Sequence, residues 1–206
     1  KTFAAIQMLA PKIKLISAER MREELVKLFA PPEPERMNGL VDEWIGEENS
    51  HGVARPVQQS IHPIPQQSHI PAARGLVLLS DSGLLEHILP ELAATVDCEQ
   101  SPDFHPEGSV FNHLCLMLEK MPADANELLP WAVLLHDIAK PVTAERDAAT
   151  GAIHFYGHEK IGAAMAEDIL RRLKFPNRQT EEIVAAVRHH MQFKDVKQMR
   201  KATLRR

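Results

Sequence analysis

Six residues stand out for the chemistry that their types and spacing allow: His113, the adjacent pair His136-Asp137, His158, and the adjacent pair His189-His190. Imidazole nitrogens and a carboxylate are good ligands for a borderline divalent cation, and such a cation acidifies water and neutralises anionic groups. The six lie on or beside four successive segments of helical apolar periodicity, near helix ends. Helices packed with those ends together would form one compact site.

Each position also has an ordinary reading. His113 shares an apolar face with Val110 and Met117, where a lone histidine also serves as a core residue satisfied by one hydrogen bond. His136-Asp137 closes the segment Leu128 to Leu135, which is apolar on all sides and reads as a buried helix. An imidazole and a carboxylate are costly to desolvate there without a partner. A divalent cation is one solution; a charge pair between Asp137 and Lys140, or an arginine, is another. Lys140 lies on the same side of the helix as both groups, and Pro141 is expected to end it. His158 follows Gly157 at a helix start. Free backbone N–H groups point there, so it suits a metal, a phosphate or simple capping. His190 continues the apolar line of Ile183 and Val187, with His189 one position away. That pair suits a shared metal site, or one core and one surface histidine.

The elements that must position these groups are helical. Residues 1–30 read as two helices, with Pro11 at the break and Ser17 as N-cap of the second; Met21, Leu25, Leu28 and Phe29 share one face. Residues 31–73 change character: prolines mix with Gln, Ser and His, and this stretch is expected to be an exposed insertion or linker. Its His51, His62 and His69 match no metal-binding spacing. Helical patterning returns at about 74, breaks at Gly83 and is expected to end at Pro90. Four helices are then expected near 109–120, with Ser109 as N-cap, 127–140, 158–174 and 180–192; a short hairpin is expected near 143–156, around Thr150-Gly151.

Composition agrees with an all-α fold. Apolar residues at 44 % and charged residues at 25 % are those of an ordinary globular protein, while 5 % aromatics and abundant Leu, Ala, Glu and Arg favour helices over strands. No apolar run approaches the roughly 20 residues that span a bilayer, and no secretory signal opens the sequence. No membrane partner and a cytoplasmic location are therefore expected. Cys98 and Cys115 make no CxxC pair and read as free thiols. The net charge of −4 exerts no global pull on nucleic acid. The end of the chain differs: Lys194, Lys197, Arg200, Lys201, Arg205 and Arg206 face only Asp195, a pattern that suits an RNA-facing patch as well as a solvated helix face. A start at Lys1 and an end within a helical run suggest a longer parent protein.

The order His113, His136-Asp137, His158, His189-His190 resembles the HD superfamily of metal-dependent phosphohydrolases, all-helical proteins named after their His-Asp doublet. The surrounding words narrow the resemblance. Phe104-His105-Pro106-Glu107-Gly108-Ser109, Leu134-Leu135-His136-Asp137-Ile138-Ala139-Lys140-Pro141, Phe155-Tyr156-Gly157-His158-Glu159 and Arg188-His189-His190-Met191 are similar to the HD domain of bacterial class II tRNA nucleotidyltransferases and related poly(A) polymerases. Ile16 to Leu25 and Arg74 to Leu85 are similar to their helical neck. The resemblance implies a neck at 1–30, continuing at 74–104, and an HD domain at 105–206. The catalytic head of such enzymes carries a Gly-Gly or Gly-Ser element with paired aspartates. This sequence has no such element, so it is not expected to add nucleotides by itself.

The implied chemistry is phosphoester hydrolysis at a divalent ion (Mg, Mn, Ni, Fe or Zn). The implied ligands are His113, His136, Asp137 and one or both of His189 and His190, with Asp137, Lys140 and His158 as catalytic residues. Lys140 and His158 would neutralise phosphate oxygens, or His158 would complete a second metal site. The family's usual distal aspartate has Asp195 as its one nearby counterpart. Implied substrates are 2′,3′-cyclic phosphates and 2′- or 3′-phosphates at RNA ends, tRNA included. Two alternatives stand beside this reading. The domain could be a silent platform holding RNA through Lys194, Lys197, Arg200 and Lys201, or a hydrolase of free nucleotides.

Overall fold

The computed structural model describes residues 2–31, 71–102 and 104–193. The insertion read at 31–73 lies almost wholly outside the described residues, as do Lys194, Lys197, Arg200, Lys201 and Asp195.

Helix α1 (Thr2–Leu9) passes into a 3-10 turn, Ala10–Leu15, with Pro11 in its first turn. Ser17 caps helix α2 (Ala18–Leu28) by accepting the Arg20 amide. The expected face of α2 points inward: Leu25 and Phe29 are buried, and Met21 and Leu28 pack on the core. Helix α3 (Pro71–Asp81) begins slightly before the boundary read at 74. Gly83, at φ +74°, turns the chain into α4 (Leu84–Ile88). Helix α4 ends before Pro90, as expected, and Pro90 itself adds an element. It opens a further short helix, α5 (Pro90–Ala93), because a first-turn proline loses no intrahelical hydrogen bond.

Ser109 caps α6 (Val110–Glu119) through the Asn112 amide. Helix α7 (Leu129–Leu135) is shorter than expected, and Pro141 acts one turn earlier than read. A continuous helix would need a Pro141 N–H to bond the Asp137 carbonyl, and proline has none. The chain instead tightens at 136–139, with Ile138 N–H on Leu135 O and Lys140 N–H on Asp137 O, and restarts as α8 (Lys140–Thr143). The expected hairpin is present: β1 (Ala144–Arg146) pairs antiparallel with β2 (Ile153–Phe155), Glu145 opposite His154. Asp147 holds its turn by accepting the Ala149 and Thr150 amides, both at 2.8 Å. Helices α9 (His158–Arg172) and α10 (Asn177–His189) follow, and a 3-10 turn, His190–Phe193, ends the described chain.

Among the described residues the protein is thus helical apart from this two-stranded hairpin. Trp131 of α7 is the largest fully buried side chain. Phe29 from the end of α2 meets it edge-on at 5.9 Å, and Phe175 from the α9–α10 turn at 4.7 Å. Phe111, Leu114 and Leu118 of α6, Leu134 and Leu135 of α7, and Ile183 and Val187 of α10 complete the same core. Each fully buried side chain of this size contributes roughly 1.5–3 kcal/mol. Gly162, Ala163 and Ala166 form the small face of α9. At Gly162 a Cβ would lie 3.6 Å from both Ala139 Cβ and Val187 Cγ1, so α9 rests directly on the 136–139 turn and on α10. Among the described residues no helix is long and apolar enough to cross a membrane. Cys98 and Cys115 are free and buried.

Candidate metal centre

The core brings one end of α6, α7, α9 and α10 together around Asp137, which is 2 % exposed. Asp137 owes its position to the broken helix, since it sits in the turn between α7 and α8 rather than on a helix face. Its Oδ2 lies 3.1 Å from His136 Nε2 and 2.8 Å from Lys140 Nζ. Its Oδ1 lies 3.4 Å from His158 Nε2 and 3.7 Å from His190 Nε2. His113 enters from α6, with its ring centroid 5.4 Å from that of His136. Two ligand sets share the aspartate: His113, His136 and Asp137, and Asp137, His158 and His190; within each set the donor atoms lie within 4.8 Å of one another.

The hydrogen bonds of the imidazoles decide which nitrogen each can offer. Nδ1 of His136 faces Val133 O at 2.8 Å, Nδ1 of His158 faces Phe155 O at 2.7 Å, and Nδ1 of His190 faces Val187 O at 2.6 Å. A carbonyl oxygen only accepts, so each of these Nδ1 atoms carries the proton. His113 Nδ1 faces the Glu107 carboxylate at 2.6 Å, which places its proton there too. All four rings therefore keep Nε2 for the interior of the cluster. His158 Nε2 and His190 Nε2 stand 3.2 Å apart. Two lone pairs that close are unfavourable unless one ring is an imidazolium or a cation lies between them. Neutral imidazoles, each oriented by an acceptor on its far nitrogen, are how proteins present histidine to a metal, and the donor set fits a borderline divalent ion.

The charges agree. Burial alone would raise Asp137, but the His136 and His158 contacts and the Lys140 ammonium outweigh it and hold the carboxyl well below the usual range. His113 and His190 are pushed down, mainly by burial. Burial also opposes charge on His158, yet Asp137 and the Phe155 carbonyl win and move it up.

The sequence expectations narrow in two places. His189 does not join the cluster: it is exposed on the other side of α10, where Gln192 Nε2 donates to its Nδ1 at 2.8 Å. One residue rotates a helix by about 100°, so only His190 keeps the register of Ile183 and Val187. Lys140, expected to meet phosphate, turns inward instead. It is 6 % exposed, donates to Asp137 Oδ2 and to Gln100 Oε1 at 2.6 Å, and lies over the Phe155 ring. Its ammonium is committed to orienting the carboxylate. Sequence reasoning misses two contributors. Glu107 holds both His105, at 3.0 Å, and His113; the short spacing from His105 and Glu107 to His113 is a readable signal. Gln100 comes from a distant loop pinned by the Glu99–Ser109 bridge, and no local pattern announces it.

Comparison with known proteins agrees with this geometry. Residues 109–205 match the family described as HD domain. The chain carries an HD domain. Residues 1–43 match a second family, described as probable RNA and SrmB-binding site of polymerase A. The HD domain and the neck before it are similar to bacterial tRNA nucleotidyltransferases. The A-adding tRNA nucleotidyltransferase of Deinococcus radiodurans is 42 % identical over 124 residues, covering 58 % of this chain and 28 % of that protein. The CC-adding tRNA nucleotidyltransferase of Thermus thermophilus is 37 % identical over 125 residues, covering 58 % and 28 %. The multifunctional CCA protein of an Azoarcus species is 33 % identical over 154 residues, covering 74 % and 34 %. The chain thus spans about a third of the length of these relatives.

Proposed function

We propose that the chain is a metal-dependent phosphohydrolase acting on RNA ends that bear a 2′,3′-cyclic, 2′- or 3′-phosphate. The observation that carries this reading is the gathering of four imidazoles, each anchored through Nδ1, around one buried carboxylate. His113, His136 and Asp137 would hold one divalent ion; Asp137, His158 and His190 would hold a second or complete the first. Such an ion supplies positive charge that acidifies water and polarises a phosphoryl oxygen. The chain's own residues supply position. Lys140 and Gln100 fix the Asp137 carboxylate, and Glu107 fixes the His113 ring. The mainly nitrogen donor set favours Fe, Ni or Zn over Mg.

The test is hydrolysis of adenosine 2′,3′-cyclic phosphate and of an RNA with a 3′-phosphate. The chain is stripped with chelator and reloaded with each ion in turn. Activity should vanish with chelator, return with a borderline ion, and be absent in a His136→Ala, Asp137→Ala double variant. Activity that survives chelation, or metal content unchanged in the double variant, would overturn the proposal. Turnover of free nucleotides but not of RNA ends would assign the site to nucleotide hydrolysis instead.

A second reading draws on the match of residues 1–43 to an RNA-binding segment and on the nucleotidyltransferase relatives. Here the neck and HD body hold tRNA for a nucleotidyltransferase head in a longer cytoplasmic parent, and Lys194, Lys197, Arg200 and Lys201 touch RNA. Affinity for tRNA that falls steeply with salt and ignores chelator would favour this platform role.

A further inference from the structure

One wall of the cluster opens sideways. His105, Glu107 and His113 face a cavity of about 370 Å³ between α6 and α7, closed on its other sides by side chains such as Leu116, Met121 and Val133. A volume of this order suits a small organic ligand. Three large apolar residues at its margin are left to water: Phe104 is 77 % exposed, and Met117 and Leu129 are 38 % exposed. A group of exposed apolar side chains beside a polar cluster is the usual mark of a binding site. The exposed Phe104 ring offers a flat face, and Lys120 places one cation on the rim.

We propose that this cavity seats the nucleobase of the terminal nucleotide whose phosphoester reaches the Asp137 centre; the inference rests on the phosphohydrolase reading above. His113 is common to the cavity and to the ligand set, so a nucleotide bound here has its phosphate and its base on either side of one imidazole. The cavity wall matches the apolar faces of a base, Phe104 stacks on it, and Lys120 meets the phosphate of the preceding nucleotide. A peptide side chain would also fill an apolar space, but it would bring no phosphate to the adjoining imidazoles.

The experiment compares two substrates of the metal-loaded full chain: adenosine 2′,3′-cyclic phosphate and glycerol 1,2-cyclic phosphate, which has no base. Phe104→Ala removes the stacking face, and Met117→Trp fills the cavity; both positions are exposed enough to spare the core. Each variant should raise KM for the adenosine substrate by about 5- to 150-fold, the range of one base–aromatic stack. Each should leave kcat and the glycerol reaction within about twofold. Equal effects on both substrates, or no effect on either, would overturn the base site while leaving the hydrolase intact. If wild type hydrolyses neither substrate, the hydrolase reading fails first, and binding of adenosine 3′-monophosphate by calorimetry decides the cavity. Binding weakened by Phe104→Ala supports the inference, and binding unchanged or absent overturns it.

Discussion

Replacing Asp137 by Asn changes one buried charge and almost no volume, so its consequences can be worked through. In wild type the carboxylate faces the Lys140 ammonium at 2.8 Å, and both side chains are under 10 % exposed. The amide oxygen could still accept from Lys140, as Gln100 Oε1 does, but the buried ammonium would lose its counter-charge. Breaking a buried pair by removing one member costs roughly 3–5 kcal/mol. For a chain of this length each kcal/mol moves the melting temperature by about 2–4 °C, which gives a fall of about 6–20 °C. Lys140→Met combined with Asp137→Asn removes both charges. It should recover about 1–3 kcal/mol of that loss, as expected for residues in contact. Ion binding should separate from stability in the same series. Asp137→Asn and the double variant should lose the ion, while Lys140→Met, which only releases the carboxylate from its support, should keep it with about 10- to 100-fold weaker affinity. Thermal and urea melts of the stripped protein and calorimetric titration with Mn²⁺ or Zn²⁺ read the two effects. A melting shift under about 2 °C for Asp137→Asn, with unchanged ion affinity, would refute the placement of Asp137 at the centre.

Three further outcomes follow from the same geometry. His190→Ala should weaken ion binding by at least about tenfold while His189→Ala leaves it unchanged, measured by titration of the stripped protein; parity between the two would return His189 to the site. Glu107→Gln keeps a hydrogen-bonding group beside His113 but removes its charge, and should lower ion affinity about 10- to 100-fold without a large change in melting temperature. Burial pushes the Cys115 thiol from 9.0 up to about 12. At pH 8 its thiolate population is then about a thousandfold below that of an open cysteine, so a disulfide reagent should modify it on a timescale of hours unless urea is added.

Much of this arrangement is legible in residue order alone. Ser17 and Ser109 cap the helices they precede, and His113, His136, Asp137, His158 and His190 meet as their spacing suggests. These features rest on local rules: a capping hydroxyl, a 3.6-residue period, a costly pair at the end of an apolar helix. What is not legible depends on distance or direction. Gln100 reaches Lys140 across forty residues of chain. Lys140 turns inward because the helix breaks at 136–139, one turn before the pattern suggests, and Pro141 restarts a helix there rather than stopping one. Even the His189–His190 ambiguity has an answer in the register of Val187 that the pair itself obscures. The prolines at 90 and 141 share the same lesson, since a proline marks a boundary without saying on which side the helix lies.

The seam between the first helices and the rest of the molecule has a mechanical consequence. A methyl group on Gly75 would fall 2.6 Å from Leu28 Cδ1, so α2 and α3 touch backbone to side chain with no slack. Arg22 of α2 donates to the carbonyl of Lys174, and Phe29 leans on Trp131, in the helix that leads directly into His136 and Asp137. Such a seam behaves as a lever arm rather than a swivel. A macromolecule gripping the amino-terminal helices and an ion gripping the histidines would pull on the same rigid block, and tension applied at one would be felt at the other.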